Sequence, residues 1–414
     1  MKRVFLQAAG ARRASVVTTA TVALLGAALA GGCAKGGGAA AETIKVGVYG
    51  PYTGGSSPMG TSMRDGARLA ADEINAKGGV LGKKIELVER DDQATNERGA
   101  QVMQDLISNE KVVAVLGPIN TGVALASYKY PMAAKIPMII NVSAGAPVNE
   151  LFKDNPDNYI FRIAASDNIQ AEMIVAEATE TRGLKKVALL CDDTNYGQNG
   201  CKKMTDALTA RSITPVSVGK FKLKDTDMTP QLQEARKAGA QAILAYGIGP
   251  ELAQIANGMD KLGYKVPMIG SWTLSMSNFI DAAQANGNGA QMPQTFIQDA
   301  AASPKAKQFV TDYQKKYGVE RIPSAVSAAQ GYDSMYLLAN AIEQAGATDG
   351  PKVKAALESL QKPYEGVIAT FDHPYSATDH EAIHKAQVVM GVVNGGKVNA
   401  PGTAGPATAP AVKR

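Results

Sequence analysis

Two hydrophobic periodicities alternate along the chain from Ile44 onward. Continuously apolar runs such as 112–116 predict buried strands with helices on both faces. Over 61–77, apolar residues recur every three or four positions from Met63 to Ile74, which predicts one face of a helix. The predicted strands are 44–50, 83–89, 112–117, 137–141, 159–163, 186–191, 215–221, 242–246 and 267–271, and the predicted helices are 61–77, 96–109, 122–135, 169–181, 198–211, 229–238 and 250–262. This alternation predicts an α/β fold with parallel, doubly wound sheets. The series of strands is too long to form a single sheet.

The composition fits a globular protein with room for two domains. The chain has 414 residues, of which 45% are hydrophobic and 20% charged. Its formal net charge is +5. Basic residues without acidic ones occupy 1–41 and the tail after 400, so the part between them is slightly acidic. We therefore expect no nucleic-acid partner.

The first 41 residues have the features of an export signal and a linker. Basic residues precede an apolar run over 16–30, which is too short to span a membrane comfortably. Small residues before Cys33 resemble a bacterial lipobox and predict lipidation of Cys33 in a periplasmic or otherwise extracytoplasmic protein. The alternative is that the signal is removed by ordinary cleavage and the protein is released into the periplasm. The Pro- and Ala-rich tail over 401–414 is expected to be disordered.

Two cysteines remain after Cys33. Cys191 and Cys201 form an even pair in an oxidising compartment, which predicts a disulfide. Two unrelated buried thiols are the alternative.

Candidate ligand-binding residues follow the predicted strands, because ligands of open α/β sheets bind at the carboxyl ends of strands. The loops are 50–55, 117–122, 141–145, 192–197, 246–250 and 271–273. Among their hydroxyls, Thr121 and Ser143 are suited to hold a carboxylate together with free backbone N–H groups. The alternative is that both residues only cap helices.

Several of these segments resemble one family, the branched-chain amino acid binding proteins, which are the extracytoplasmic substrate-binding components of ABC importers. The resemblance covers about 43–398. The segments that carry it are Ile44-Lys45-Val46-Gly47-Val48, Asp72-Glu73-Ile74-Asn75-Ala76-Lys77-Gly78-Gly79, Asn195-Tyr196-Gly197, Gly331-Tyr332-Asp333 and Asp379-His380.

The resemblance implies a type I periplasmic binding fold with two Rossmann-like lobes, which are joined by three crossover segments and close on the ligand by a hinge. Lobe one would comprise 42–163 and 295–372, and lobe two 164–294 and 373–400. The implied partners are a small carboxylate or amino acid and an ABC permease in the inner membrane. The chain would be a monomer without a cofactor, bound to the membrane only through its lipid anchor. A ligand sensor for a receptor is an alternative that the same fold supports.

The resemblance also implies site residues. Hydroxyls of Thr121 and Ser143, with backbone N–H groups of Ala144 and Gly145, would hold the ligand carboxylate, and Tyr196 would cover the ligand from lobe two. The lobe-one side of the pocket would include Tyr52 and Met59.

Trp272 departs from the family pattern, because amino-acid binders carry a carboxylate there for the ligand ammonium. A buried ammonium without a counter-charge is unstable. Either another acid such as Glu251 substitutes, or the ligand is a hydrophobic or aromatic acid that lacks an ammonium group.

One motif suggests an enzyme. His380 to His384 spells H-E-x-x-H, which binds zinc when it lies on a helix. No Asp, Glu or His follows His384 to supply a third ligand, and the next residues are strand-like. We expect a solvated turn here, with no metal and no catalysis.

Overall fold

The computed structural model describes residues 42–401. The predicted signal segment, the lipidation site Cys33 and the tail from residue 402 lie outside this range. Within it, no helix combines the length and the apolar character needed to cross a membrane.

Strands and helices alternate through most of the described chain. The strands are β1 (Ile44–Gly50), β2 (Ile85–Asp91), β3 (Ala114–Leu116), β4 (Met138–Ile140), β5 (Ile160–Arg162), β6 (Val187–Asp192), β7 (Ser217–Phe221), β8 (Ala242–Tyr246), β9 (Met268–Gly270), β10 (Gln291–Gln294), β11 (Tyr364–Glu365), β12 (Thr370–Phe371), β13 (Val389–Asn394) and β14 (Lys397–Asn399). The helices are α1 (Ser57–Ala76), α2 (Asn96–Ser108), α3 (Thr121–Ser127), α4 (Lys129–Ala134), α5 (Pro147–Glu150), α6 (Asp167–Ala176), α7 (Asn195–Thr209), α8 (Thr229–Lys237), α9 (Glu251–Lys261), α10 (Ser277–Ala283), α11 (Pro304–Tyr317), α12 (Ala325–Ala345) and α13 (Gly350–Leu357).

Two main sheets organise these elements. The first is fully parallel, with strand order β2-β1-β3-β4-β5. The second has the order β14-β13-β10-β9-β8-β6-β7, in which β13 and β14 form an antiparallel edge. The central strands β3, β4, β6 and β8 are buried along their whole length, as expected for strands covered by helices on both faces. The predicted α/β architecture is confirmed.

Helices α1 and α12 are in backbone contact through two glycines. A Cβ atom at Gly66 would lie 2.0 Å from the carbonyl oxygen of Ala328, and one at Gly331 would lie 2.0 Å from that of Met63. Only glycine permits so close an approach. Helix α12, which lies late in the sequence, is therefore held against α1, the helix that follows β1.

Proline explains two differences between predicted and observed helices. Helix α1 begins at Ser57, earlier than expected, with Pro58 in its first turn, where the missing N–H is not needed. The predicted helix 122–135 is divided into α3 and α4. Pro131 lies in the first turn of α4 and has no N–H with which to continue α3.

The H-E-x-x-H segment is not helical and is not the solvated turn that we expected. It runs beside β5, where the Arg162 N–H donates to the carbonyl of His380 at 2.8 Å. His380 is buried, stacks on Phe161 at 4.0 Å between ring centroids and donates from Nδ1 to the Ile160 carbonyl at 2.8 Å. The expectation of solvation was wrong because this imidazole packs on an aromatic ring of the first sheet. His384 is exposed. Within 42–401, no three His, Cys, Asp or Glu side chains are grouped to hold a metal ion.

Candidate ligand-binding site

Two loops at the carboxyl edge of the first sheet bring Thr121 and Ser143 together. The Ser143 N–H donates to the carbonyl of Pro118 at 3.2 Å, which ties the loop after β4 to the loop after β3. The hydroxyl of Ser143 lies 3.5 Å from that of Thr121, and both side chains are buried. Neither hydroxyl is hydrogen-bonded to a helix N-terminus in the described chain, so simple capping does not account for them.

The backbone beside Ser143 has free donors and occupied acceptors. The carbonyls of Ala144 and Gly145 accept from the Arg162 guanidinium at 3.2 and 2.9 Å. Between residues 42 and 401, the N–H groups of Ala144 and Gly145 donate to no other group. Two buried hydroxyls and two unpaired N–H groups form a set of donors suited to a carboxylate.

Gly145 allows this loop to approach Thr121. A Cβ atom at residue 145 would lie 2.2 Å from Cγ2 of Thr121, well inside van der Waals contact. The closeness of the two loops therefore depends on glycine at this position.

Tyr196 comes from the second sheet, in the first turn of α7. The Thr194 hydroxyl caps this helix by accepting from the Gly197 N–H at 3.3 Å. A Cβ atom at Gly200 would lie 2.0 Å from the Tyr246 ring, so glycine lets α7 lie directly on β8. The rings of Tyr196 and Tyr246 are 4.8 Å apart. Within the described residues, the buried Tyr196 hydroxyl has no hydrogen-bond partner.

Asp192 holds the loops after β6 and β8 together. Its carboxylate accepts from the N–H groups of Thr194 at 3.0 Å and Ile248 at 2.9 Å. Burial raises the pKa of Asp192 to about 6, although these hydrogen bonds favour the charged form. Its oxygens are occupied by the protein, which makes Asp192 a structural residue of the site.

Asp167 is a buried acid that the sequence analysis did not identify. It opens α6, and its N–H donates to the carbonyl of Ala144 at 2.7 Å. Its Oδ1 accepts from the Tyr246 hydroxyl at 2.6 Å, whereas its Oδ2 has no partner within 42–401. Burial raises the pKa of Asp167 to about 7 against the opposing effects of Tyr246, Arg162 and Lys203. The signal was available, because this residue follows the predicted strand 159–163.

Trp272 is buried in the short helical turn after β9. Its backbone N–H donates to Oε1 of Gln170 at 3.1 Å. Gln170 lies on α6, one turn after Asp167, so α6 connects the Trp272 loop to the Ala144 loop. No acidic side chain occupies this loop.

A cavity of about 360 Å³ lies between loops of the two sheets. Thr121 and Asn120 line it from the first sheet, and Tyr196, Asn195 and Ile248 from the second. Two of the residues predicted from the sequence thus face one space from opposite sheets.

This cavity is not lined by the other candidates, which are Ser143, Ala144, Gly145, Trp272, Tyr52, Met59 and Glu251. The hydroxyl of Tyr52 donates to the carbonyl of Val48 at 2.9 Å, and Arg64 lies 4.9 Å above its ring. Met59 is part of the hydrophobic core. Glu251 is buried, and its Oε1 accepts from the Lys224 N–H at 2.5 Å.

Cys191 and Cys201 are joined in a disulfide, with Cα atoms 6.0 Å apart. The bond links the end of β6 to α7 and encloses Tyr196 in its loop. It therefore restrains the part of the second sheet that carries this tyrosine.

Comparison with known proteins gives a consistent result. Residues 43–397 match the family model described as periplasmic binding protein. The chain is 27% identical over 325 residues to the leucine-, isoleucine-, valine-, threonine-, and alanine-binding protein of Pseudomonas aeruginosa, covering 77% of this chain and 83% of that protein.

Solved structures show the same similarity. The substrate binding protein LivJ of a branched-chain amino acid transporter from Streptococcus pneumoniae, in complex with isoleucine, has a TM-score of 0.75 and 29% identity, covering 87% of this chain and 98% of that chain. A solute binding protein of an ABC transporter from R. palustris, in complex with 4-hydroxybenzoate, has a TM-score of 0.74 at 22% identity, covering 86% and 95%. The second similarity shows a shared fold alone. The chain therefore belongs to the periplasmic binding protein family, as an extracytoplasmic solute-binding protein of the ABC transporter type.

Proposed function

We propose that this protein captures a branched-chain or other hydrophobic amino acid and delivers it unchanged to an ABC permease. The observation that carries the proposal is the donor set of Thr121, Ser143, Ala144 and Gly145, because it offers hydroxyl and N–H donors to one carboxylate. The leucine- and isoleucine-type ligands of the relatives agree with this class.

The ligand is held between two lobes, 42–163 with 295–372 and 164–294 with 373–400. The five-stranded sheet and α12 belong to the first proposed lobe. The seven-stranded sheet, which includes β13 and β14, belongs to the second. Closure removes the ligand from water and adds contacts from Tyr196 and its neighbours. Contacts made only in the closed form determine how far the ligand shifts the equilibrium toward closure.

A hydrophobic or aromatic acid without an ammonium group is the second candidate ligand. The observation that favours it is Trp272, which brings a buried indole to the loop where the resembled amino-acid binders carry a carboxylate. The 4-hydroxybenzoate complex shows that this fold accommodates such acids. The indole offers a flat apolar wall to either class of ligand.

We also propose that the chain is exported and anchored through a lipid on Cys33. The support is the basic segment, the apolar run 16–30 and the small residues before Cys33.

A thermal-shift screen tests the choice of ligand. The purified protein is heated with each amino acid and with a panel of aliphatic and aromatic carboxylates. A ligand that binds only the folded state raises the melting temperature. We expect leucine, isoleucine or valine to give the largest shift. A shift by aromatic or aliphatic acids alone supports the second candidate, and no shift by any compound contradicts both.

The donor set is tested with the variant Thr121→Ala/Ser143→Ala. Loss of two hydroxyls that bind a charged group costs about 1.5–3 kcal/mol each, so affinity should fall at least about a hundredfold. The matched control is Thr205→Ala/Thr209→Ala, whose hydroxyls donate to backbone carbonyls of their own helix. Equal affinity of the wild type and the Thr121/Ser143 variant would refute the site.

A further inference from the structure

The first half of the H-E-x-x-H segment is bound along β5, just after the chain crosses between the proposed lobes. The Arg162 N–H donates to the carbonyl of His380 at 2.8 Å, and the Ala382 N–H donates to the carbonyl of Arg162 at 2.9 Å. Arg162 and Glu381 form a parallel bridge between these two bonds. The backbone that carries the Glu381 side chain is therefore fixed against the first sheet.

The His380 side chain strengthens this attachment. Its Nδ1 donates to the Ile160 carbonyl at 2.8 Å, and its ring stacks on Phe161. Its Nε2 lies 3.0 Å from Oε1 of Glu358, the residue that follows α13. Both ring nitrogens are thus in contact with acceptors of the protein, and the histidine anchors the segment to β5 and α13.

The guanidinium of Arg162 joins Glu381 to the loop after β4. The Arg162 side chain is only 2% exposed. Its Nε donates to Oε2 of Glu381 at 2.8 Å, and its Nη2 donates to the other carboxylate oxygen. Its Nη1 donates to the carbonyls of Ala144 and Gly145 at 3.2 and 2.9 Å. Because a guanidinium is a rigid plane, the position of the carboxylate determines where these carbonyls are held.

The two carbonyls set the direction of the N–H groups that follow them. In a planar trans peptide, the C=O of one residue and the N–H of the next point in opposite directions. The carbonyls of Ala144 and Gly145 point toward Arg162, so the N–H groups of Gly145 and Ala146 point away from it. Within residues 42–401, neither N–H group donates to another group. The Gly145 N–H is one of the donors proposed for the ligand carboxylate.

We propose that Glu381 is a positioning residue of the carboxylate subsite. It holds the Arg162 guanidinium, which orients the peptides after Ala144 and Gly145 so that their N–H groups face the ligand carboxylate. This inference rests on the proposed function and adds to its site a residue that does not touch the ligand. It also links the donors to a segment beside a crossing between the proposed lobes.

The burial of Arg162 makes its position depend on Glu381. A buried guanidinium that loses its carboxylate keeps an uncompensated charge and unpaired N–H donors. The guanidinium must then shift toward other acceptors, and the carbonyls bound to it shift as well. Glu89 offers a matched comparison, because it is 23% exposed against 25% for Glu381 and binds both Nε and Nη2 of Arg68. Arg68 otherwise pairs with Asp65 on its own helix, away from the loop after β4.

The test is a double-mutant cycle measured by calorimetry with L-leucine. It comprises the wild type, Ser143→Ala, Glu381→Gln and the variant with both changes. In the control cycle, Glu89→Gln replaces Glu381→Gln. If the wild type binds 4-hydroxybenzoate instead of leucine, that acid is the probe, because it also carries a carboxylate. Thermal unfolding checks that each variant is folded.

We expect Glu381→Gln to lower affinity at least about tenfold, the effect of one weakened hydrogen bond to a charged group. The combined loss with Ser143→Ala should differ from the product of the single losses by at least about threefold, because both changes act on one loop. Glu89→Gln should stay within about threefold of the wild type and combine additively. A purely structural role of Glu381 would lower the melting temperature but leave its cycle additive, and additivity would overturn the inference.

The variant Glu381→Asp separates position from charge. It keeps the negative charge, but its carboxylate is one methylene shorter and cannot reach the guanidinium from the same backbone. We expect affinity to fall at least about threefold. Wild-type affinity in Glu381→Asp, or affinity above wild type in Glu381→Gln, would show that the pair acts through charge alone and would refute the positioning role. Glu381→Asp also decides the question if Glu381→Gln does not fold.

Failure of the proposed function gives a different result. Wild-type protein that binds no amino acid and no carboxylate refutes the proposed function, and the inference with it. Unchanged affinity in Ser143→Ala refutes the donor set on which the inference depends. Single variants that each lower affinity but combine additively refute only the role of Glu381.

Discussion

At the scale of single residues, the proposed site depends on the position of a few small groups. Gly145 lets the loop after β4 reach Thr121, and the Arg162 guanidinium fixes that loop from behind by binding two of its carbonyls. Arg162 is itself buried and paired with Glu381, which comes from a distant part of the sequence. The donors proposed for the carboxylate are thus preorganised by groups that do not touch it.

Gly145→Ala should weaken ligand binding by at least about tenfold, because its Cβ atom would force the loop away from Thr121. Calorimetry with the preferred ligand measures the effect. The control is Gly287→Ala in the turn before β10, whose Cβ atom would lie 3.1 Å from Cβ of Ala283 and needs only a small shift. Wild-type affinity in Gly145→Ala would show that this close approach is not needed.

Thr121 and Ser143 could be proposed from the sequence because hydroxyls in loops after apolar strands are visible in a linear pattern, and the structure places the two hydroxyls 3.5 Å apart. Asp167 was not considered, although it also follows a predicted strand, 159–163. Asp167 stands out in the structure because one of its carboxylate oxygens has no partner within 42–401. It is also hydrogen-bonded to Ala144 and Tyr246, which are distant in sequence. Contacts between residues so far apart in the chain cannot be inferred from the spacing of residues along the sequence.

At the scale of elements, the connection from β6 to α7 is restrained at both ends. The carboxylate of Asp192 holds its start, and the disulfide from Cys191 to Cys201 closes the loop that carries Tyr196. Up to β9, the order of the strands and of the helices other than α5 was predictable from periodicity. The division of the predicted helix 122–135 and the antiparallel edge at β13 were not, because they depend on local proline geometry and on pairing of the chain's last strands with β10.

Cys191→Ser/Cys201→Ser should lower the free energy of unfolding by about 3 kcal/mol, the value expected for closing a short loop. Chemical denaturation of the oxidised wild type and the variant measures the difference. Reductant is the control, because it should lower the free energy of unfolding of the wild type and leave that of the variant unchanged. Equal stability of wild type and variant would mean that the bond does not restrain the unfolded chain.

At the scale of the whole molecule, hydrogen bonds connect the two proposed lobes at more than one place. Asn278 on α10 donates to the carbonyl of Gly55 at 2.8 Å, which joins the second unit to the loop before α1. Backbone bonds between β5 and the segment after His380 join the units near their connections. In the proposed hinge motion, the first contact would break on opening, whereas the second lies where the chain crosses between the proposed lobes.

Asn278→Ala should reduce ligand affinity by about threefold to tenfold, because it removes a hydrogen bond between the proposed lobes that we expect to form only on closure. Asn257→Ala is the matched control, since Asn257 donates to Ala282 within the second unit. Titration with the preferred ligand gives both affinities. An equal effect in both variants would argue against a role for Asn278 in closure.

Calorimetric titration of the purified protein with L-isoleucine measures whether it binds a hydrophobic amino acid. We expect one ligand per chain, bound reversibly and released chemically unchanged, with affinity lowered at least about a hundredfold in Thr121→Ala/Ser143→Ala and preserved in Thr205→Ala/Thr209→Ala. Absence of heat with isoleucine, leucine and valine, together with saturable binding of an aromatic acid, would contradict the assignment to hydrophobic amino acids.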